Sequence, residues 1–201
     1  MQAIETREAL RALYGSPSER AVRKDIGRID KHCRHFISRS PFLVLATMGP
    51  NGADVSPRGD PPGFVRVLDE RRLIIPDRPG NKRLDSLENI LADPRVGLLF
   101  FLPGVDETLR INGRARIVVG PELDGLEVSG RAPQTALLVE AEEVYLHCAK
   151  ALIRSKLWDP ATRIERARFP SFGTILADQL KESDSATIDR SLDEAYRTKL
   201  Y

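Results

Sequence analysis

Cysteine is scarce in this chain. Cys33 and Cys148 are the only two among 201 residues, too few and too far apart for a disulfide framework, so the expected home is a reducing cytoplasm. An excess of charge is missing as well. Lysine and arginine number 31 against 29 acidic side chains, and no basic block is interleaved with aromatics. A general nucleic-acid binder needs a strong positive field, so nucleic acid is not expected as a partner. No apolar run approaches the roughly 18 residues needed to cross a bilayer. Residues 1–13 are charged and lack the apolar centre of a signal peptide, so no membrane association is expected. Metal-ligand spacing is absent too. His32, Cys33 and His35 cluster, but at about 100° per residue one helical turn cannot aim all three at one ion. With no Cys-x-x-Cys or His-x-x-x-His partner, no metal site is expected.

What the chain does contain is the composition of an ordinary soluble globular protein, 41% hydrophobic and 30% charged. Its length allows one substantial core, or one core with a small appendage.

Residues 73–89 are the organising stretch. The apolar run Leu73, Ile74, Ile75 breaks at Pro76, passes through Asp77, Arg78, Pro79 and Gly80, and resumes with helical period at Leu84, Leu87 and Ile90. This predicts a strand, a tight loop and a helix start. Asn81 stands where a helix cap is expected, with Lys82 and Arg83 in the first turn. Two cations there oppose the helix dipole, which points to an external anion, with phosphate the first candidate. A solvated basic turn explains the loop's residues equally well.

Upstream, Val22, Ile26, Ile29, Cys33, Phe36 and Ile37 recur at spacings of three and four, the stripe of an amphipathic helix ended by Pro41. Residues 42–48 and 53–57 read as two strands joined by the hairpin signal Asn51-Gly52. The second leads to Arg58-Gly59-Asp60. There Arg58 is either a directed guanidinium or half of a turn salt bridge with Asp60. Residues 64–68 and 73–75 form a second hairpin. A short helix over 84–91 precedes a buried strand over 96–102.

Residues 107–119 alternate, with Thr108, Arg110 and Asn112 on a polar side and a bend expected at Gly113. Thr108 and Arg110 could line a site or form a cross-strand ion pair. Residues 120–133 read as a loop with a short helix, and 136–146 as a strand bulged near Glu142 and Glu143. A helical stretch follows in which His147, Lys150 and Arg154 share a face, ahead of the lone tryptophan, Trp158. His147 as a general base would need an orienting acid, and the sequence points to none. Residues 172–180 and 188–200 are amphipathic.

Many short strands with Gly and Pro turns suggest a small antiparallel barrel. Taken together, the segments from Phe42, Val55, Leu73, Asp93, Glu107 and His147 resemble the pyridoxamine 5'-phosphate oxidase-like flavoproteins. Within that superfamily they look most like a bacterial branch of FMN-dependent proteins of unassigned substrate. The resemblance spans roughly residues 37–158, and the order and spacing of its segments are specific where no single motif is.

It implies a mainly β fold with flanking helices, an antiparallel six-stranded split β-barrel of FMN-binding type. An N-terminal helical segment would occupy residues 1–40 and the barrel 41–158. A helical tail, 159–201, would pack on the barrel or on a partner subunit. The resemblance further implies a homodimer with FMN held between the barrels. The cofactor-binding positions carried over are Arg58, Pro76, Asp77, Arg78, Asn81, Lys82, Arg83, Thr108 and Arg110, with Lys150 and Trp158 added from the neighbouring subunit by position only. The tail has no Arg-x-His motif near its end, so the resemblance does not extend to pyridoxine-phosphate chemistry.

The function implied is an FMN-dependent oxidoreductase acting on a small organic substrate, with a reduced nicotinamide as a candidate donor. No catalytic acid or base is identified, which fits direct hydride transfer to or from the flavin. Two further readings stand beside it: a non-catalytic flavin carrier or sensor, and a split barrel using deazaflavin or haem.

Overall fold

A computed structural model describes residues 1–181 and 184–201. Its elements run α1 (Arg7–Tyr14), α2 (Glu19–Arg23), α3 (Lys31–Arg39), β1 (Phe42–Gly49), β2 (Gly52–Gly59), β3 (Arg66–Val67), β4 (Arg72–Pro76), α4 (Asp85–Ala92), β5 (Arg95–Leu102), β6 (Val105–Val118), β7 (Ala136–His147), α5 (Lys150–Ser155), α6 (Phe172–Leu180) and α7 (Ser185–Thr198).

The strands make one sheet in the order β2-β1-β5-β6-β7-β4-β3, every neighbouring pair antiparallel. The mainly β, split-barrel architecture expected from the sequence is the one observed. The sheet has seven strands where six were expected, because the two-residue β3 pairs with β4. The edges β2 and β3 do not pair with each other, so the barrel stays open.

One face of the sheet wraps the main apolar core. Leu43 and Leu45 of β1, Phe100 of β5, Leu109 and Ile111 of β6, Val139 of β7 and Leu73 of β4 lie in it with essentially no exposure. Burying a side chain of this kind contributes roughly 1.5–3 kcal/mol. From the N-terminal region, Ile29 and the α3 residues Cys33, Phe36 and Ile37 enter the same core. The helix is locked at its C-terminal end by Ser40, whose hydroxyl donates to the carbonyls of Phe42 (2.8 Å) and Phe101 (2.6 Å).

The amphipathic stripe from Val22 to Ile37 is two helices rather than one. Gly27, with φ +59°, breaks it, and Asp30 starts α3 afresh by accepting from the amides of His32 and Cys33. Between the helices, Asp25 accepts from the amide of Val144 at 2.9 Å and Ile26 N donates to its carbonyl. The linker is thereby stitched to β7.

Gly113 faces Ala141 while Asn112 faces Glu143, so Glu142 is the extra residue of a bulge, as the sequence suggested. A Cβ on Gly113 would lie 2.0 Å from the Glu140 carbonyl oxygen. Only glycine allows the two strands this close.

Candidate anion groove at the ends of β2 and β4

The residues expected to form a helix cap do not do so. Asn81 accepts from the amide of Arg83 at 3.0 Å, and Lys82 and Leu84 both take positive φ, +62° and +61°. The chain therefore enters α4 only at Asp85, with Leu84 as a cap residue that makes no side-chain cap bond. Lys82 and Arg83 lie in the loop before the helix, and Asp85 and Glu88 occupy the first turn, where the dipole favours them. The opposition between cations and dipole is absent. What remains is a cationic loop beside the end of β4.

That loop borders a groove of about 800 Å³, within the size range of small-molecule sites. Asp54, Ser56 and Arg58, two apart along β2, supply one wall through its half-buried face. Pro76 to Leu87 supply the second, and Arg131, Pro133, Gln134 and Tyr201 complete it.

Two crossed ion pairs join the strand ends. Arg58 donates to Asp77 at 2.8 Å, and Arg78 to Asp60 at 2.6 Å. The turn salt bridge considered for Arg58 and Asp60 thus goes to other partners, because β2 and β4 bring their ends together and offer each arginine a carboxylate from the opposite loop. Arg83 pairs with Asp85 at 2.7 Å, and that hydrogen bond pushes its pKa up further. Among the described residues, Lys82 makes no ion pair. With Asp60 counted as the partner of Arg78, the groove then holds five cations, Arg58, Arg78, Lys82, Arg83 and Arg131, against four acids, Asp54, Asp60, Asp77 and Asp85. The Nε of Arg58 is buried without a partner.

Behind the groove, Ser86 donates to Asp54 at 3.4 Å and Asn89 to Thr47 at 3.1 Å. These bonds pin α4 onto β1 and β2, so the cationic loop is held at both ends.

The structure brings together Arg58, Pro76, Asp77, Arg78, Asn81, Lys82 and Arg83. It does not bring Thr108, Arg110, Lys150 or Trp158 to the same groove within one chain. Thr108 is buried on β6 opposite His147. Arg110 forms the cross-strand pair considered from the sequence, 3.4 Å from Glu143, and its guanidinium lies 4.5 Å from the centre of the Tyr145 ring. Lys24 is also 4.5 Å from that ring centre. Lys150 is exposed at the start of α5, and Trp158 donates to the Val105 carbonyl at 2.9 Å.

His147 ends β7 instead of joining a helical face with Lys150 and Arg154. Burial, then Arg110 and Lys24, lowers its pKa, so the imidazole is neutral at neutral pH. His32 and His35 are exposed while Cys33 is buried, and among the described residues no metal-binding group is found. No helix among them is long and apolar enough to cross a membrane.

Asp54, Ser86, Arg131, Gln134 and Tyr201 were not anticipated. Alternation along β2 carries Asp54 to the same side as Arg58 and could have revealed it. No local pattern marks the other four.

The site is thus a polar groove at the ends of β2 and β4 of an open antiparallel barrel, with Lys82 and Arg83 on the loop between strand and helix. The sequence model described as Pyridoxamine 5'-phosphate oxidase matches residues 29–148, more than half of the chain, and the chain belongs to that family. A comparison with curated proteins finds no match.

Several solved structures are similar. HupZ of Group A Streptococcus is 17% identical, with 59% of this chain and 93% of that one covered and a TM-score of 0.48. A Clostridium acetobutylicum protein related to general stress protein 26 of B. subtilis, of the pyridoxinephosphate oxidase family, is 16% identical over 58% and 85%, with a TM-score of 0.42. An FMN-binding protein from Syntrophomonas wolfei is 10% identical over 70% and 96%, with a TM-score of 0.43.

Proposed function

We propose that the chain binds FMN in this groove and acts as an FMN-dependent oxidoreductase on a small organic substrate. The observation that carries the reading is the cationic excess on a loop fixed at both ends, in a chain of this family. The donor set suits a doubly charged phosphate. Lys82 and Arg83 are exposed and reach it from the loop, each charge-assisted bond contributing about 1.5–3 kcal/mol. Arg58 and Arg78, already fixed by their aspartates, keep guanidinium donors at the groove wall. Pro76, Asp77 and Arg78 supply backbone beside the ring. When bound, FMN would supply the hydride chemistry.

The chain's own part is to bind, orient and exclude water. Lys150 and Trp158 contribute from a second copy of the chain, in a homodimer. Sedimentation of the purified protein with and without FMN checks that assembly, and a monomer under both conditions removes these two residues from the site.

Cofactor extraction tests the function. Purified protein, incubated with FMN and freed of excess, is expected to be yellow, to release FMN by mass after denaturation, and to bleach with a reduced nicotinamide. Protein that stays colourless defeats the reading. FMN held firmly but not reduced by any nicotinamide donor supports a carrier or sensor instead. A released mass matching deazaflavin or haem would assign the barrel to that group in place of FMN.

A further inference from the structure

Among the described residues, the tail that follows the barrel touches the groove through Tyr201. The helices α6 and α7 pack on each other, Ser171 Oγ donating to Asp189 at 2.5 Å and Gly173 N to the same carboxylate at 2.7 Å. Their buried residues are only Gly173 and Ala177, and Phe172, Leu180, Tyr196 and Leu200 are exposed. Among the described residues, these helices add no side chain to the barrel core. Among the described residues, the hydrogen bonds that tie 171–201 to the rest of the chain both belong to Tyr201. Its hydroxyl donates to Asp60 Oδ1 at 2.7 Å, and its carbonyl accepts from Arg131.

The contact at Asp60 is built on the groove's own framework. The Asp60 side chain has no exposed surface, and its other oxygen accepts from Arg78 Nε at 2.6 Å. The Arg78 guanidinium lies 5.9 Å from the centre of the Tyr201 ring. The bond to Asp60 raises the phenol pKa, so the hydroxyl stays a neutral donor at neutral pH. With its polar groups engaged, Tyr201 is half-buried and lines the same groove as the 82–83 loop. A ligand that uses both features carries an anion for the cationic loop and a flat, apolar-faced ring for Tyr201.

We propose that Tyr201 is the aromatic platform on which the planar ring of a phosphorylated ligand packs, making it a specificity-determining residue that separates ring-bearing phosphates from phosphate alone. This rests on the reading of the groove as the FMN site.

The test measures the affinity of the full chain and of Tyr201→Ala, Tyr201→Leu and Tyr201→Phe for FMN, riboflavin and inorganic phosphate. Tyr201→Ala and Tyr201→Leu are expected to weaken FMN and riboflavin alike, by about three- to tenfold, the range of an aromatic pair contact. Phosphate affinity should not change. Tyr201→Phe should keep both flavin affinities within about twofold, since the ring is retained. Fluorescence of bound flavin should rise in the Ala and Leu variants, which lose the electron-rich quencher beside it. Circular dichroism of each variant confirms an unaltered fold.

Wild-type protein that binds neither flavin overturns both the inference and the reading beneath it. Flavin bound with unchanged affinity and fluorescence in the Ala and Leu variants overturns the inference alone. Tighter binding by those variants also overturns it, since Tyr201 would then be an obstruction.

Discussion

Arg78 and Asp60 meet at 2.6 Å across the ends of two strands, the carboxylate wholly buried and the guanidinium only 15% exposed. Asp60 also holds Tyr201, so one buried acid links β2, the β4 loop and the tail. Asp60→Ala leaves a largely buried guanidinium without its counter-charge, and we expect a loss of about 3 kcal/mol. Urea unfolding followed by the fluorescence of Trp158 measures it. A change below about 1 kcal/mol would mean that water replaces the carboxylate, and that the pair does not brace the groove.

The cationic loop carries the phosphate assignment. Lys82→Glu with Arg83→Glu should abolish FMN retention yet leave the unfolding midpoint close to wild type, because both side chains are exposed and outside the core. Equilibrium dialysis against FMN gives the first quantity and thermal melting the second. Undiminished FMN affinity would move the phosphate elsewhere.

Gly113 is where β6 and β7 come closest. Gly113→Ala places a methyl 2.0 Å from the Glu140 carbonyl oxygen, so strands in the middle of the sheet must part. A loss of about 1–3 kcal/mol is expected in chemical denaturation. Wild-type stability in that variant would show that the bulge opens without resistance.

Acid should weaken the attachment of α3 to the core. The Cys33 amide, with help from His32, holds the Asp30 carboxyl below its usual 3.8. A depressed folded-state value means that the cap's contribution is complete above about pH 4 and fades as the pH falls through the folded value. Asp30→Ala should cost about 1 kcal/mol at neutral pH and remove that part of the acid dependence. Urea midpoints between pH 6 and about pH 2.5 report both effects, and parallel curves for the two proteins would contradict the assignment.

The two thiols should separate kinetically. Burial above all pushes the Cys33 thiol up to about 12, whereas Cys148 is exposed. A thiol reagent near pH 8 should titrate one cysteine in native protein and two in denaturant. Cys148→Ser should abolish the fast reaction. Two fast thiols in the native state would place Cys33 outside the core.

Local pattern by itself determined the strands, the Asn51-Gly52 hairpin, the bulge opposite Gly113 and the cationic loop after Pro76, since each depends on side-chain period or turn chemistry within a few residues. It misplaced the start of α4 by a few residues, because Asn81 satisfied its oxygen on the Arg83 amide while Lys82 and Leu84 took left-handed backbone that no propensity foretells. It fused α2 and α3 because a helical stripe continues in number across Gly27, while the competing bonds from Asp25 and Ile26 to Val144 come from more than a hundred residues away. The exchange of partners between Arg58, Asp77, Arg78 and Asp60, and the arrival of Tyr201 beside them, were decided by tertiary structure alone. Ion pairs and hydrogen bonds go to whichever group the fold brings within about 3 Å, and separation along the chain says nothing about which that is.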